Sequence, residues 1–257
     1  MMKDILEKLH LLGPIQRYRI RKKLQNDFET EYINLVRSAQ LSKSRFELSW
    51  ANRKPYFFDK TSTTGFDRHY VYHPAWAARI LNQTKPDFHI DISSTLYFCS
   101  IASAFVPIRF YDYRPAQLIL DGLTTGHIDL TALTWDDNTV HSLSCMHTVE
   151  HIGLGRYGDP IDYDGDLKAM QELSRVLAID GNLLFVVPIG YKAQIIFNGH
   201  RIYTRDLVVE SFPNLTLIDF TLIPEKQKDG GLVANPSADL LSRQVYGCGC
   251  FWFTKRV

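Results

Sequence analysis

Apolar residues near the start of the chain recur with helical spacing at Ile5, Leu6, Leu9 and Leu12, break at Gly13-Pro14, and resume at Ile20, Leu24 and Phe28. They predict a helical N-terminal extension over residues 1–60, followed by one domain over 61–257. From Tyr72 the stretch HPAWAARIL predicts a short helix with Pro74 at its start, ending before Lys85-Pro86-Asp87. Beyond it the period switches repeatedly. Strands are expected at Phe88 to Ile92, Ile108 to Tyr111, Ile128 to Leu130, Val140 to Ser144 and Asn182 to Val187, and helices around Ala116 to Leu123, Gly165 to Leu177 and Thr204 to Phe212. Leu215 to Leu222 and Tyr246 to Thr254 read as a closing antiparallel pair, and Lys226 to Pro236, with Gly230-Gly231, as a mobile loop.

Strands alternating with helices imply an α/β fold with a mainly parallel sheet covered on both faces, its C-terminal edge antiparallel. The segment from Val140 to Pro188 is the most informative, because polar residues gather where its first strand ends. Open α/β sheets bind ligands at such strand exits.

Composition narrows the function. A net charge of +1 over 257 residues provides no global field toward nucleic acid, so no nucleic-acid partner is expected. No apolar run approaches the roughly 20 residues that span a bilayer, and the N-terminus is interrupted by charge, so a cytoplasmic protein without a transmembrane segment is expected. Arg17, Arg19, Arg21, Lys22 and Lys23 read as a solvated helix face. Cys99, Cys145, Cys248 and Cys250 form neither a disulfide framework nor a zinc quartet, and Cys248-Gly249-Cys250 reads as two small side chains packed on one strand face. Nothing in the sequence sets an oligomeric state.

The segments DLTALTWDDNTVHSLSCMHTVEHI and MQELSRVLAIDGNLLFVVP resemble the central motifs of class I S-adenosylmethionine-dependent methyltransferases, over about Tyr72 to Val257. GLGRYGDPID and FNGHRIY are similar to motifs of a bacterial methyltransferase-like family of unknown function that is found with surface-glycan biosynthesis genes. The resemblance implies a Rossmann-like sheet, S-adenosylmethionine as cofactor, and a small polar acceptor such as a sugar or glycan precursor. It also implies site residues. Asp91, Ile92, Ser93 and Ser94 match the turn after the first strand, with serines where the resembled enzymes carry glycines that let the backbone approach the cofactor. Asp112 matches the acid that binds ribose hydroxyls, although an aspartate after a strand is also a common turn residue. Tyr113 and Arg114 fall beside the adenine, Asp129 and Leu130 at its edge, and Trp135 over its ring or in the core.

Cys145 and Met146 are expected beside the transferred methyl group, with His147, Glu150 and His151 sharing one face if the turn is helical. A histidine there suits a general base for a substrate hydroxyl, with His200 as a second candidate. The same face could hold a divalent metal ion, as in resembling quinone-ring methyltransferases, or Glu150 could merely cap the turn. Arg156, Tyr157, Asp159, Asp162, Asn198, Arg201 and Tyr203 are expected to bind the acceptor, although Arg156 could instead pair with an aspartate of its own loop.

Two other readings compete. The missing glycines suit a catalytically inactive methyltransferase-like module that binds a glycan or protein partner. His147-Thr148-Val149-Glu150-His151 also fits the H-x-x-E-H pattern of inverted zincins, with Glu225 as a third ligand, but Gly153 and Gly155 end any supporting helix within a turn.

Overall fold

The computed structural model describes residues 13–43 and 45–256, so the helix expected around Ile5 to Leu12 lies outside the described residues. The chain divides into two compact units between Phe66 and Asp67. Among the described residues the first holds one long helix, α1 (Pro14–Gln40), which is capped by Gly13 and has proline at its first position, where the missing N–H costs nothing. Its basic residues are all exposed. Phe28 and Tyr32 pack on Trp50 at ring distances of 5.7 and 4.8 Å.

The second unit opens with α2 (Arg68–Thr84), capped by Asp67, whose carboxylate accepts from the Tyr70 N–H at 3.2 Å. Pro74 lies inside this helix rather than at its start, a correction traced to that cap. Tyr72 precedes Pro74 in a chain already helical, and His69, His73, Trp76, Ala77, Ile80 and Leu81 form a buried stripe at helical spacing.

Eight strands form one sheet in the order β3-β2-β1-β4-β5-β10-β8-β9. Five of them, β1 (His89–Ile92), β2 (Ile108–Asp112), β3 (Leu123–His127), β4 (Val140–Met146) and β5 (Leu177–Ile189), run parallel. On the other edge, β10 (Gly247–Lys255) is antiparallel to both β5 and β8 (Leu215–Ile223), and β9 (Val233–Ala234) pairs antiparallel with β8. β5 is buried along most of its length because both sheet faces are covered, one core gathering around Leu143, Leu173 and Phe185 and the other around Trp76, Phe98 and Cys250. The chain leaves β1 toward β2 on one side and returns to β4 on the other. The crevice at this switch point is where the site forms.

The remaining elements are α3 (Leu96–Ala102), α4 (Gly165–Val176), the hairpin β6 (Gln194–Ile196) and β7 (His200–Ile202), α5 (Arg205–Glu210) and α6 (Ala238–Ser242). Two expectations are corrected. No helix spans Ala116 to Leu123: Gly122 has φ 72°, and a Cβ there would meet the Ser103 carbonyl at 2.7 Å, so the chain turns tightly and enters β3 before the strand expected at Ile128 to Leu130. The segment from Lys226 to Pro236 is structured, with a 3-10 turn at Gln227–Asp229, pairing through β9, and Arg68 donating to the Pro224 carbonyl at 3.2 Å and to that of Gly230.

Candidate active site

At the end of β1 the fully buried Asp91 accepts from the Ser94 N–H at 3.0 Å and from the Ser144 hydroxyl, which in turn meets His89 Nε2 at 2.8 Å. Burial raises the Asp91 pKa to about 6 against these hydrogen bonds. Asp91 thus shapes the turn from behind, and Ile92 is core. Ser93 adopts φ 58°, the left-handed conformation for which glycine is usually chosen, while its N–H donates to the Tyr111 carbonyl at 2.8 Å. Ser94 Oγ accepts from the Met146 N–H at 3.1 Å and ties the turn to β4.

A cavity of about 290 Å³ opens at these exits, lined by Ser93, Asp112, Tyr113, Arg114, Asp129 and Leu130 on one side and by Gly153, Tyr157, Asp159 and Asp162 on the other. Asp112 Oδ1 accepts from the Arg114 N–H at 2.7 Å, a turn that does not engage Oδ2. Asp129 Oδ1 takes both donors of Thr131, at 2.8 and 2.7 Å, which likewise does not engage its second oxygen. Two expected members lie elsewhere. Trp135 packs edge-on against Tyr111 at 5.1 Å beside the core, and Cys145 is 1% exposed within it.

His147 follows β4 with φ 57°, and Val149–His151 form a single 3-10 turn, so the one-face helical placement of His147, Glu150 and His151 is corrected. The three side chains still converge. His147 Nδ1 lies 2.8 Å from Glu150 Oε1, His151 Nε2 lies 3.8 Å from the same oxygen, and Glu150 is buried with Oε2 unpartnered. His147 Nε2 faces Cys248 Sγ at 3.4 Å, which leaves that ring no nitrogen free. By contrast, His151 Nδ1 donates to the Gly199 carbonyl at 2.7 Å, an oxygen that Arg156 Nη1 also reaches at 3.1 Å while lying 3.2 Å from Nδ1 itself, which leaves Nε2 as an acceptor 3.8 Å from Glu150 Oε1. Burial lowers the His151 pKa, as it does that of His200.

His147 and His151 line both the first cavity and a second one, which adds Tyr70, Met146, Glu150, Arg156, His200 and Tyr246 and shares Ser93 and Tyr157. Tyr157 carries the Arg114 guanidinium 4.7 Å from its ring and that of Arg156 at 5.0 Å. Tyr70 and Tyr246 carry no motif. Only the approach of α2 and of the chain before β10 brings them here.

Several residues expected at the acceptor site serve the scaffold instead. Arg201, 5% exposed, donates to the carbonyls of Ile152, Tyr163 and Asp162 and pairs with Asp166 at 3.4 Å. Tyr203, 3% exposed, donates its hydroxyl to Asp166 at 2.9 Å. The Asp159 carboxylate lines the cavity but is held by the N–H groups of Gly153, Gly155 and Tyr157. Its partial burial would raise the pKa, and those donors outweigh it, leaving the pKa lowered. Asp162 pairs with Lys168 at 2.6 Å. Asn198 turns the β6–β7 hairpin at φ 57°. The H-x-x-E-H reading gains no ligand from Glu225, whose carboxylate accepts from the N–H groups of Val245 and Tyr246.

Three solved structures share this architecture. The [4+2]-cyclase SpnF matches with a TM-score of 0.51 at 13% identity, over 72% of this chain and 82% of its own. The 1,6-didemethyltoxoflavin-N1-methyltransferase of Burkholderia thailandensis matches at 0.51 and 11%, over 72% and 79%. The geranyl diphosphate C-methyltransferase of Streptomyces coelicolor matches at 0.50 and 10%, over 71% and 78%. The chain therefore has the Rossmann-like fold of class I methyltransferases, and at these identities the likeness is one of fold. Residues 132–211 are similar to a family described as "Caenorhabditis protein of unknown function, DUF268". No curated protein matches the chain.

Proposed function

We propose that this protein is an S-adenosylmethionine-dependent methyltransferase whose acceptor is a hydroxyl of a sugar or glycan precursor. The observation that carries the reading is the cavity at the exits of β1, β2 and β4, where Ser93, Asp112 and Asp129 converge beside a second polar cavity. The residues fit the cofactor: Ser93 supplies the left-handed turn, Asp112 and Asp129 each keep a carboxylate oxygen for hydroxyl or amino donors, and Leu130 adds an apolar wall. The solved Burkholderia and Streptomyces neighbours hold S-adenosylhomocysteine, which supports the same ligand class here. S-adenosylmethionine would supply an electrophilic methyl group.

The chain's own residues do the rest. The second cavity, with Tyr70, Tyr157 and Tyr246 around Arg156 and His200, suits an acceptor rich in hydroxyls, and the resemblance of GLGRYGDPID and FNGHRIY to the surface-glycan family supports a sugar. His151 Nε2 takes the hydroxyl proton, because Gly199 fixes its tautomer and its ring borders both cavities. His147, with both nitrogens engaged, is a wall rather than the base.

Calorimetric titration with S-adenosylmethionine and its demethylated product tests the reading. Binding is expected, with Asp112→Ala weakening it about tenfold or more, as befits loss of a charged hydrogen-bond acceptor. Absence of binding at millimolar ligand would favour the second reading, a cofactor-free binding module suggested by the serines at 93 and 94.

A further inference from the structure

The methyltransferase reading leaves a buried cluster behind the second cavity unused. His69 on α2, His147 at the exit of β4 and Cys248 on β10 each offer a donor atom, and these atoms lie within 4.8 Å of one another. We propose that they form a transition-metal site, with zinc as the metal that the donors fit.

The geometry carries this. Zinc bonds of about 2.0–2.1 Å to nitrogen and about 2.3 Å to sulfur place neighbouring tetrahedral donors about 3.3–3.6 Å apart. His147 Nε2 and Cys248 Sγ are already 3.4 Å apart, and the His69 ring, stacked 5.2 Å from that of His147, needs to turn out of the stack and shift on the order of 1 Å to complete three ligands, because an imidazole lone pair lies in the plane of its ring. Glu150, 2.8 Å from His147 Nδ1, supplies the carboxylate that characteristically orients a metal-bound histidine and fixes its tautomer.

Two buried polar atoms point the same way. Glu150 Oε2 has no partner, which leaves a buried carboxylate short of compensation. A dication balances that carboxylate together with a Cys248 thiolate, whose proton passes to solvent on binding. His73 is fully buried, its Nδ1 is 2.7 Å from the His69 carbonyl, and its Nε2 has no partner on a ring packed 5.1 Å from that of His147. It is a candidate for a fourth ligand, and Cys250 lies beside Cys248 on the same strand face. Imidazole and thiolate donors select zinc over magnesium or calcium. The metal would pin α2 to the sheet and form the floor of the second cavity through His147.

The full-length protein, stripped with a chelator and dialysed, is titrated with Co2+ and then with Zn2+. A thiolate-to-cobalt charge-transfer band with intense tetrahedral d–d bands is expected, displaced stoichiometrically by zinc. Cys248→Ser should abolish the charge-transfer band, and Cys99→Ser, a buried cysteine outside the cluster, should keep it. Zinc in about hundredfold excess over its dissociation constant should raise the thermal midpoint of the wild-type protein by about 5–10 °C, and magnesium should not. That readout needs no variant to fold. No cobalt band in the wild-type protein, a band retained in Cys248→Ser, or an equal shift with magnesium would overturn the site and leave a metal-free His147–Glu150 pair. Each of these readouts is independent of S-adenosylmethionine binding.

Discussion

Replacing Arg201 by methionine tests whether the acceptor-side wall is built by a buried clamp or by a ligand-binding residue. The guanidinium is 5% exposed and donates to the carbonyls of Ile152 at 2.5 Å, Tyr163 at 2.8 Å and Asp162 at 3.3 Å, while Nε lies 3.4 Å from Asp166. Removing one partner of a buried ion pair costs about 3–5 kcal/mol, because the other charge is left uncompensated. Charge-assisted bonds to carbonyls are worth about 1.5–3 kcal/mol each, but they are not additive and water recovers part of their loss. A net destabilisation of about 4 kcal/mol follows, a large share of the roughly 5–15 kcal/mol that holds a domain folded. Urea denaturation of the wild-type and variant proteins measures it. The double variant Arg201→Met/Asp166→Asn should recover part of the loss, because the orphaned charge is gone while the Tyr203 hydroxyl keeps an acceptor. A loss below about 1 kcal/mol, with altered acceptor affinity, would refute the clamp and return Arg201 to the acceptor site.

Other predictions address the loop, the base and the buried histidine. Gly153 has φ 79° and a Cβ there would fall 2.0 Å from the Asp162 carbonyl, whereas Gly158 has φ 86° with open space around it. Gly158→Ala should cost about 1–2 kcal/mol and Gly153→Ala clearly more in the same urea assay, so equal losses would contradict the close approach. For His151, burial lowers the pKa against Glu150 and the Gly199 carbonyl, which raise it, while Arg156 and His147 lower it further. The methyl-transfer rate should therefore rise with pH and level off below the ordinary histidine value of 6.5; an inflection above it, or one that persists in His151→Ala, would exclude this base. Burial depresses the His89 pKa from 6.5 to about 3, so the unfolded chain binds more protons in that interval, and stability should be full above pH 6.5 and fall as the pH drops toward 3. Asp91, raised to about 6, contributes the opposite slope between its ordinary 3.8 and 6; His89→Gln should remove only the His89 share of the first slope, because burial also lowers the pKa of His69, to about 4, and of His73, as read from urea midpoints across this range.

Much of this molecule was legible in local pattern. The apolar run from Leu183 to Pro188, the amphipathic stretch from Gly165 and the closing strand after Tyr246 are written in periods of 2 and 3.6 residues, which depend only on near neighbours in sequence. Their alternation implied the parallel sheet, and the exits of its strands implied where cavity-lining residues such as Asp112 and His151 would gather. Pattern failed where a distant contact overrode it, as at Gly122, where the Ser103 carbonyl excludes a side chain, and along α2, where the Asp67 cap starts the helix ahead of its proline.

Side-chain roles were decided by tertiary structure. Arg201, Tyr203 and Asp159 have the chemistry of acceptor-binding residues, yet Arg201 and Tyr203 are buried against carbonyls and Asp166, and the Asp159 carboxylate is taken up by backbone N–H groups of its own loop. Composition likewise could not tell His147 from His151, because the difference lies in which ring nitrogens are taken. Cys248 approaches His147 across 101 positions, and the Gly199 carbonyl reaches His151 across 48. A linear pattern records which groups are present and which face they share with near neighbours. Only the folded chain, which sets what each donor and acceptor meets from afar, decides which remain free to do chemistry.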